Sequence, residues 1–329
     1  MLGKSGSRIE TGITVKGYEA LIIENRALRV TVLPGKGSDI IEFLYKPQDL
    51  DLTWSSAWGL RPKNGYRDFL QNYEGGWQEI CPNGGSSSEY RGAVFGQHDE
   101  VANLSWSTSV DEGDPEEGVL LSVDCSQLPI RLTKRLKLLK ELPTLLIEET
   151  LENLSAVAVH VMWGQHLVFG PPFLEPGCLI ETGARQVIVT DEPIMHRRFC
   201  PGRYSWPYVM DHEGKPQDLR VVPDHGTGED IVYLTSLSDG YYRLVNPRRQ
   251  LSVVVHWDPG RFPYLWFWQQ FGGEGHPWYG RHYNLGLEPF AGYPTHGIAE
   301  AVNNRSALTI AGKEIVSTAW SVGVVEGES

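Results

Sequence analysis

The feature that most constrains this chain is a repeated alternation of apolar and polar residues with a period of two. The longest example spans residues 130–138, where Arg131, Thr133, Arg135 and Lys137 lie on one face. In a β-strand, successive side chains point to opposite faces, whereas a helical face repeats every 3.6 residues. The alternation therefore predicts half-buried antiparallel strands. Three shorter stretches show the same pattern: 28–32, 121–125 and 157–161.

The rest of the chain is also rich in short β-type segments. No long stretch combines helical periodicity with capping residues, and 36 Gly and 21 Pro divide the chain into many short elements. We predict a mainly β protein, built as a large sandwich of two packed antiparallel sheets. The further runs that predict strands are 186–190, 231–237, 251–257, 264–271, 308–311 and 316–325.

Two stretches, 47–97 and 191–229, are irregular and rich in Gly, Pro, Ser, Trp and Tyr. Long loops in a compact β domain usually carry function. No clear linker divides the sequence, so we expect a single domain over residues 1–329.

Composition and charge exclude several classes of protein. The balance of 29 Lys+Arg against 41 Asp+Glu gives a net charge of -12, which argues against a nucleic-acid partner. No apolar run is long enough for a membrane span, and the first residues do not resemble a secretory signal. We therefore expect a cytoplasmic protein with no membrane partner. Its four widely spaced cysteines are expected to be reduced thiols: Cys81, Cys125, Cys178 and Cys200.

The motifs of several enzyme classes are missing from the sequence. There is no dinucleotide or phosphate-binding glycine loop, no paired-histidine zinc helix and no nucleophile elbow. What remains is a set of His and Glu residues beside aromatic and Gly-rich segments, at 75–85, 95–100, 162–170 and 284–294. These segments hold the candidates for chemistry.

Three of these residues have both a structural and a functional interpretation. His166 ends a β-branched run, where it is either a hydrogen-bonded core residue or a general acid on a rigid strand. Glu288 lies among apolar residues, where a carboxyl is either paired, with Arg281 or His282 as partner, or desolvated and tuned as a base. His98, beside Asp99, is either part of a surface pair or a donor to a sugar hydroxyl.

Taken together, these residues resemble the aldose 1-epimerase, or galactose mutarotase-like, superfamily. His98 after a Gly-rich loop, Gln165-His166 followed by Phe169, and Glu288-Pro289 match the order of the family's histidines and Glu-Pro pair. The resemblance extends from about residue 20 to the C-terminus and suggests a divergent branch. It implies the large galactose mutarotase-like β-sandwich.

The resemblance also implies a reaction and a set of site residues. It suggests interconversion of sugar anomers by general acid-base catalysis through ring opening, without a cofactor or metal. Glu288 would be the base, His166 the acid, and His98 a hydroxyl-binding or second acidic group. The expected partner is a small sugar, and an exposed edge strand would allow a homodimer. The residues expected to bind the substrate are Trp77, Asn83, Arg91, Gln165, Trp268 and Arg281.

Other functions fit the same residues. A carbohydrate-binding protein without catalysis, or a sugar isomerase or lyase, could use the same fold. If the arginines of the second loop-rich stretch (Arg197, Arg198 and Arg203) point into the cavity, a uronate or sulfonated sugar becomes plausible; otherwise they are surface charges. Convergence of His98, His166, His276 and His282 on a metal is a weaker alternative.

Overall fold

The computed structural model describes residues 7–63, 68–110, 118–191 and 197–327. Within these ranges, strands dominate and helices are few and short. None of the described helices is long and apolar enough to cross a membrane.

One large sheet contains twelve of the described strands, paired antiparallel. Its strands are β1 (Arg8–Val15), β2 (Tyr18–Glu24), β3 (Leu28–Leu33), β4 (Asp39–Tyr45), β5 (Leu50–Asp51), β6 (Trp77–Ile80), β14 (Trp163–Phe169), β16 (Gln186–Val189), β17 (Gly202–Ser205), β20 (Gly228–Thr235), β23 (Tyr264–Phe271) and β24 (Tyr283–Ala291). Their order in the sheet is β1-β2-β3-β4-β6-β14-β24-β23-β20-β16-β17, and β5 pairs with β4.

A second sheet of eight described strands packs against the first. Its order is β15-β21-β22-β26-β12-β11-β10-β9, for the strands β9 (Ser107–Val110), β10 (Val119–Asp124), β11 (Ile130–Leu138), β12 (Thr144–Asn153), β15 (Leu179–Thr182), β21 (Tyr241–Asn246), β22 (Leu251–His256) and β26 (Ile315–Glu326).

Three small pairs of strands and short helical turns complete the described chain. The pairs are β7 (Ser88–Tyr90) with β8 (Ala93–Phe95), β13 (Val159–Val161) with β25 (Leu308–Ile310), and β18 (Tyr208–Met210) with β19 (Pro216–Asp218). The helices are α1 (Phe69–Asn72) and α2 (Ile298–Asn303), and 3-10 turns occur at Lys46–Gln48 and Val101–Asn103.

The predicted sandwich is confirmed, and its core follows the alternation seen in the sequence. In β11 the apolar residues Ile130, Leu132 and Leu136 are buried, while Arg131 is exposed. The buried apolar residues form one large cluster that includes members of both sheets. Each run that predicted a strand overlaps a strand of the structure.

The inner faces of the sheets also hold a buried polar cluster. The Gln165 Nε2 atom of β14 donates to Glu79 Oε1 at 2.9 Å and to Glu149 Oε1 of the facing sheet at 3.0 Å. Trp163 Nε1 donates to Glu79 Oε1 at 2.7 Å, and Lys134 Nζ lies 3.7 Å from Glu79 Oε2. Burial raises the pKa of Glu149, and the neighbouring Glu79 raises it further. Because buried polar groups must be paired, this cluster fixes how the sheets face each other.

The stretch 47–97 departs from the predicted loop. Its segment Trp77–Ile80 is β6, an inner strand of the large sheet whose four residues are all buried. A strand covered on both faces shows no alternation of apolar and polar residues, so its pattern does not reveal it. Elsewhere, much of the described part of 47–97 is irregular, as expected.

A glycine in β14 allows a test of packing in the large sheet. Gly164 faces Phe290 across the strand pair, and a Cβ at position 164 would overlap the Phe290 ring. That ring stacks on Trp266 with centroids 3.9 Å apart. We expect Gly164→Ala to lower the free energy of unfolding by about 1–3 kcal/mol in urea titrations, because the core cannot absorb the extra methyl group.

Gly96→Ala is the matched control for this substitution. Gly96 is exposed, and a Cβ there would have only the Asp99 side chain nearby, at 3.7 Å or more. Equal unfolding free energies for the two variants would contradict the proposed close packing of Gly164 against Phe290.

Candidate active site

The register of three neighbouring strands places His166 and Glu288 side by side. In the pairing of β14 with β24, Gly164 lies opposite Phe290 and Val168 opposite Gly286, so His166 and Glu288 are the facing residues between them. Glu288 is paired on its other side with Trp266 of β23. His166 Nε2 lies 3.8 Å from Glu288 Oε1. The sheet itself therefore holds an imidazole and a carboxyl on one face.

A cavity of about 380 Å³ lies against this face. Both apolar and polar side chains line it, a mixture typical of small-molecule sites. Its aromatic residues are Phe69, Tyr73, Trp266, Trp268 and Trp278. Its ionisable residues are His98, His166, Glu229, Asp230, His276 and Glu288.

Burial favours the uncharged forms of the facing pair. Desolvation raises the pKa of Glu288 well above its usual value. Desolvation also lowers the pKa of His166 to about 4. Since a desolvated group resists becoming charged, burial favours the carboxylic acid form of Glu288 and the neutral imidazole form of His166.

His98 is held in one tautomer at the edge of the cavity. The backbone N–H of Gly85 donates to His98 Nδ1 at 3.2 Å, so the ring proton lies on Nε2. Its ring packs edge-on against His166, with centroids 5.1 Å apart. Desolvation, and then the nearby His166, lower the pKa of His98 well below its usual value. His98 can therefore act as a neutral hydrogen-bond donor.

Two further carboxyl groups line the same cavity. Glu229 accepts a hydrogen bond from Gln270 Nε2. Asp230 Oδ2 accepts from the backbone N–H groups of Arg198 and Phe199, at 3.1 and 3.0 Å. Desolvation raises the pKa of both carboxyl groups. Asp230 Oδ1 also accepts from the backbone N–H of Ile231, so Glu229 is the one of these two carboxyl groups that can accept from a ligand hydroxyl.

The sequence predicted four of the residues that the structure brings to this cavity: His98, His166, Trp268 and Glu288. Two other predicted contacts, Trp77 and Gln165, lie elsewhere. Trp77 is in the core beside Phe43, with ring centroids 4.7 Å apart. Gln165 belongs to the inner polar cluster, because it neighbours His166 and so points to the opposite face of β14.

The remaining predicted sugar contacts are also outside the cavity. Asn83 is fully buried and holds loops together, its Nδ2 donating to Ser86 O and its Oδ1 accepting from Ile298 N. Arg91 is exposed and donates to Ala158 O at 2.8 Å. Arg281 is exposed and does not line the cavity. Being close in sequence to a candidate motif therefore does not bring these side chains to the cavity.

The arginines of the second loop-rich stretch do not line the cavity, although Arg197 and Arg198 contact Asp230, which does. Arg197 lies 3.2 Å from Asp191 and 3.9 Å from Asp230. Arg198 donates to Gln269 Oε1 at 2.7 Å. In the described part of the chain, neither residue lines the cavity, nor does any other arginine or lysine.

Several cavity residues were not predicted from the sequence. Glu229 and Asp230 precede the predicted strand run at 231–237, and two acids before an apolar strand are a usable signal. Tyr73 and Phe69 lie in the stretch predicted as a loop, and no pattern distinguishes them. The described residues include no group of three or more His, Cys, Asp or Glu arranged to hold a metal ion.

A family model matches most of the chain. The model of the family described as "Domain of unknown function (DUF4432)" matches residues 15–324. Comparison with curated proteins gives no match.

Solved structures share the fold at low sequence identity. A Klebsiella pneumoniae protein named as a candidate aldose 1-epimerase has a TM-score of 0.73 at 12% identity, over 97% of this chain and 83% of that one. For a galactose mutarotase related enzyme from Lactobacillus acidophilus the TM-score is 0.67 at 13% identity, over 94% and 100% of the chains. For a galactose mutarotase-like protein from Lactobacillus casei it is 0.63 at 14% identity, over 93% and 100%. The expected mutarotase-like sandwich is confirmed.

The buried imidazole of His166 predicts a change of stability in acid. Its folded pKa is about 4, whereas an unfolded histidine titrates near about 6.5. Its contribution to stability is therefore complete above about pH 6.5 and is lost as the pH falls toward 4. Between pH 7 and pH 4.5, we expect the wild type to lose about 2 kcal/mol more unfolding free energy than His166→Asn.

Urea titrations at the two pH values measure this difference. His256→Asn, at an exposed histidine on β22, is the control and should follow the wild type. If His166→Asn and the wild type lose stability equally on acidification, the imidazole is not desolvated as described.

Proposed function

We propose that this chain, which belongs to the family described as a domain of unknown function (DUF4432), is an aldose 1-epimerase-like enzyme that equilibrates the anomers of a sugar. The observation that carries the proposal is the placement of His166 and Glu288. They are cross-strand neighbours, 3.8 Å apart, and both line a cavity with aromatic walls. An acid and a base beside a ligand-sized hollow are what proton-transfer catalysis on a bound sugar requires.

Mutarotation needs two coupled proton transfers. A base takes the proton of the anomeric hydroxyl, an acid gives a proton to the ring oxygen, and the C1–O5 bond breaks to leave the open-chain aldehyde. Rotation about C1–C2 and the reverse transfers close the ring on the other face. Each positioned acid or base contributes about 10²–10⁴-fold. No electrons are transferred, and the protein regains its starting protonation state.

The neutral pair defines the direction of the first transfers. Glu288 as a carboxylic acid can give its proton to the ring oxygen, and the neutral His166 can take the anomeric proton. The sequence resemblance implies the opposite roles, with Glu288 as base and His166 as acid. Those roles apply when the pair is ionised, as a carboxylate and an imidazolium. The two forms hold the same number of protons, and ring opening followed by closure uses each group in both roles.

The surroundings of the pair support a neutral sugar as substrate. Trp268 lines the cavity, and the flat face of an indole suits the apolar face of a pyranose. Glu229 offers an acceptor for a hydroxyl group, and neither Arg197 nor Arg198 lines the cavity. An anionic sugar would lose its hydration in a cavity that no described arginine or lysine lines.

The catalytic pair is tested by substitution. We expect Glu288→Gln and His166→Asn each to lower kcat/KM for anomer equilibration by about 10²–10⁴-fold, because each removes one proton-transfer group. Freshly dissolved α-D-glucose, α-D-galactose and other neutral aldoses are followed by polarimetry or proton NMR.

Glu149→Gln is the matched control for Glu288→Gln. Glu149 is also a buried glutamate with a raised pKa, but it lies between the sheets and does not line this cavity. Wild-type rates in folded Glu288→Gln protein would eliminate the proposed mechanism. Sugar binding without faster anomer equilibration in the wild type would indicate a carbohydrate-binding protein instead.

The absence of arginine and lysine among the described cavity residues predicts a preference for neutral sugars over anionic ones. We expect neutral aldoses to be equilibrated with a kcat/KM at least about tenfold higher than that of the corresponding uronates, because no described arginine or lysine lines the cavity to pair with a buried carboxylate. Galactose and galacturonate, or glucose and glucuronate, are compared at several ionic strengths. A preference for the uronate would contradict the neutral substrate and leave the proton-transfer pair in place.

A further inference from the structure

Tyr73 lines the cavity and carries a hydroxyl group that the proposed proton transfers do not use. Only 2% of the surface of Tyr73 is exposed. Its ring meets His166 edge-on, with centroids 5.5 Å apart and an interplanar angle of 81°. The phenol is thus part of the wall beside the catalytic pair.

This hydroxyl is buried and has no hydrogen-bond partner among the described residues. A buried hydroxyl that has lost water and gained no partner carries a desolvation penalty. Buried polar groups are usually paired, so an unpaired one in a cavity wall points to a partner supplied by a ligand.

Two atoms of the catalytic pair also lack a hydrogen-bond partner among the described residues. Glu288 Oε1 and His166 Nδ1 are also buried and unpaired within the described chain. A donor on Tyr73 and the two unpaired atoms beside it complement the oxygens and hydroxyls of a sugar.

The structure also fixes the position of the Tyr73 ring. Phe69 stacks on it, with centroids 5.0 Å apart, and Trp58 Nε1 donates to the Tyr73 carbonyl at 2.7 Å. The next residue, Glu74, is bound by the buried Lys36 at 2.7 Å. A hydroxyl held in place before the ligand arrives can stabilise charge without reorganising.

We propose that the Tyr73 hydroxyl donates a hydrogen bond to the sugar oxygen that gains negative charge as the ring opens and closes. This inference rests on the proposed function. The phenol keeps its proton throughout, and no bond of Tyr73 is made or broken. Burial raises its pKa well above the usual value, which keeps it a donor over the working pH range.

Tyr73→Phe tests this role, since it removes one oxygen and keeps the ring. We expect kcat/KM for anomer equilibration of α-D-glucose or α-D-galactose to fall about 10- to 100-fold. The melting temperature should be equal to or above that of the wild type, because the lost hydroxyl had no partner. Loss of activity without loss of stability separates a functional hydroxyl from a structural one.

Tyr242→Phe is the matched control. The Tyr242 hydroxyl is also buried and unpaired among the described residues, but it lies in the core near Phe169 and Trp257 and does not line the cavity. We expect this variant to keep wild-type kcat/KM within about twofold and to be at least as stable. A Tyr73→Phe enzyme within twofold of the wild type, or an equal loss in both variants, would overturn the proposal.

A protein that binds sugars without catalysis would require a different test of the Tyr73 contact. If the wild type equilibrates no anomers, the same sugars are tested for binding by saturation-transfer NMR. At least about tenfold weaker binding by Tyr73→Phe than by the wild type and Tyr242→Phe would support the hydroxyl contact in a binding protein. Equal binding by all three proteins, or no binding at all, would overturn it.

Discussion

The site depends on the cross-strand pairing of His166 with Glu288. Two groups that favour opposite charges lie 3.8 Å apart in a desolvated position, yet neither is held there by a flexible loop. The register of β14 and β24 places the two residues opposite each other, between the pairs Gly164–Phe290 and Val168–Gly286. Burial on this support favours the uncharged forms of both groups.

The same strands carry polar groups of a different kind on their opposite face. His166 lines the cavity, while the adjacent Gln165 bonds to Glu79 and Glu149 between the sheets. Period-two geometry thus divides neighbouring polar residues between a site and the core. Gln165 is satisfied by two carboxyl groups between the sheets, whereas His166 Nδ1 and Glu288 Oε1 have no hydrogen-bond partner among the described residues.

Much of the fold could be predicted from the sequence, because half-buried strands show their period directly. In β11 the alternation even identified the outward face that carries Arg131 and Arg135. Strand β6 could not be recognised, since all four of its residues are buried but its sequence, Trp-Gln-Glu-Ile, shows neither alternation nor an apolar run. Trp77 was consequently interpreted as a sugar platform, although it packs in the core.

The sequence identified residues of the candidate site only where their order along the chain matched a known family pattern. His98, His166 and Glu288 were found through their resemblance to a family pattern, and the fold brings them to one cavity. Glu229 and Tyr73 reach that cavity through long-range packing, which no local pattern encodes. The similar solved structures share the fold at only 12–14% identity, so the fold alone does not define the reaction. What supports catalysis is the desolvated acid-base pair itself.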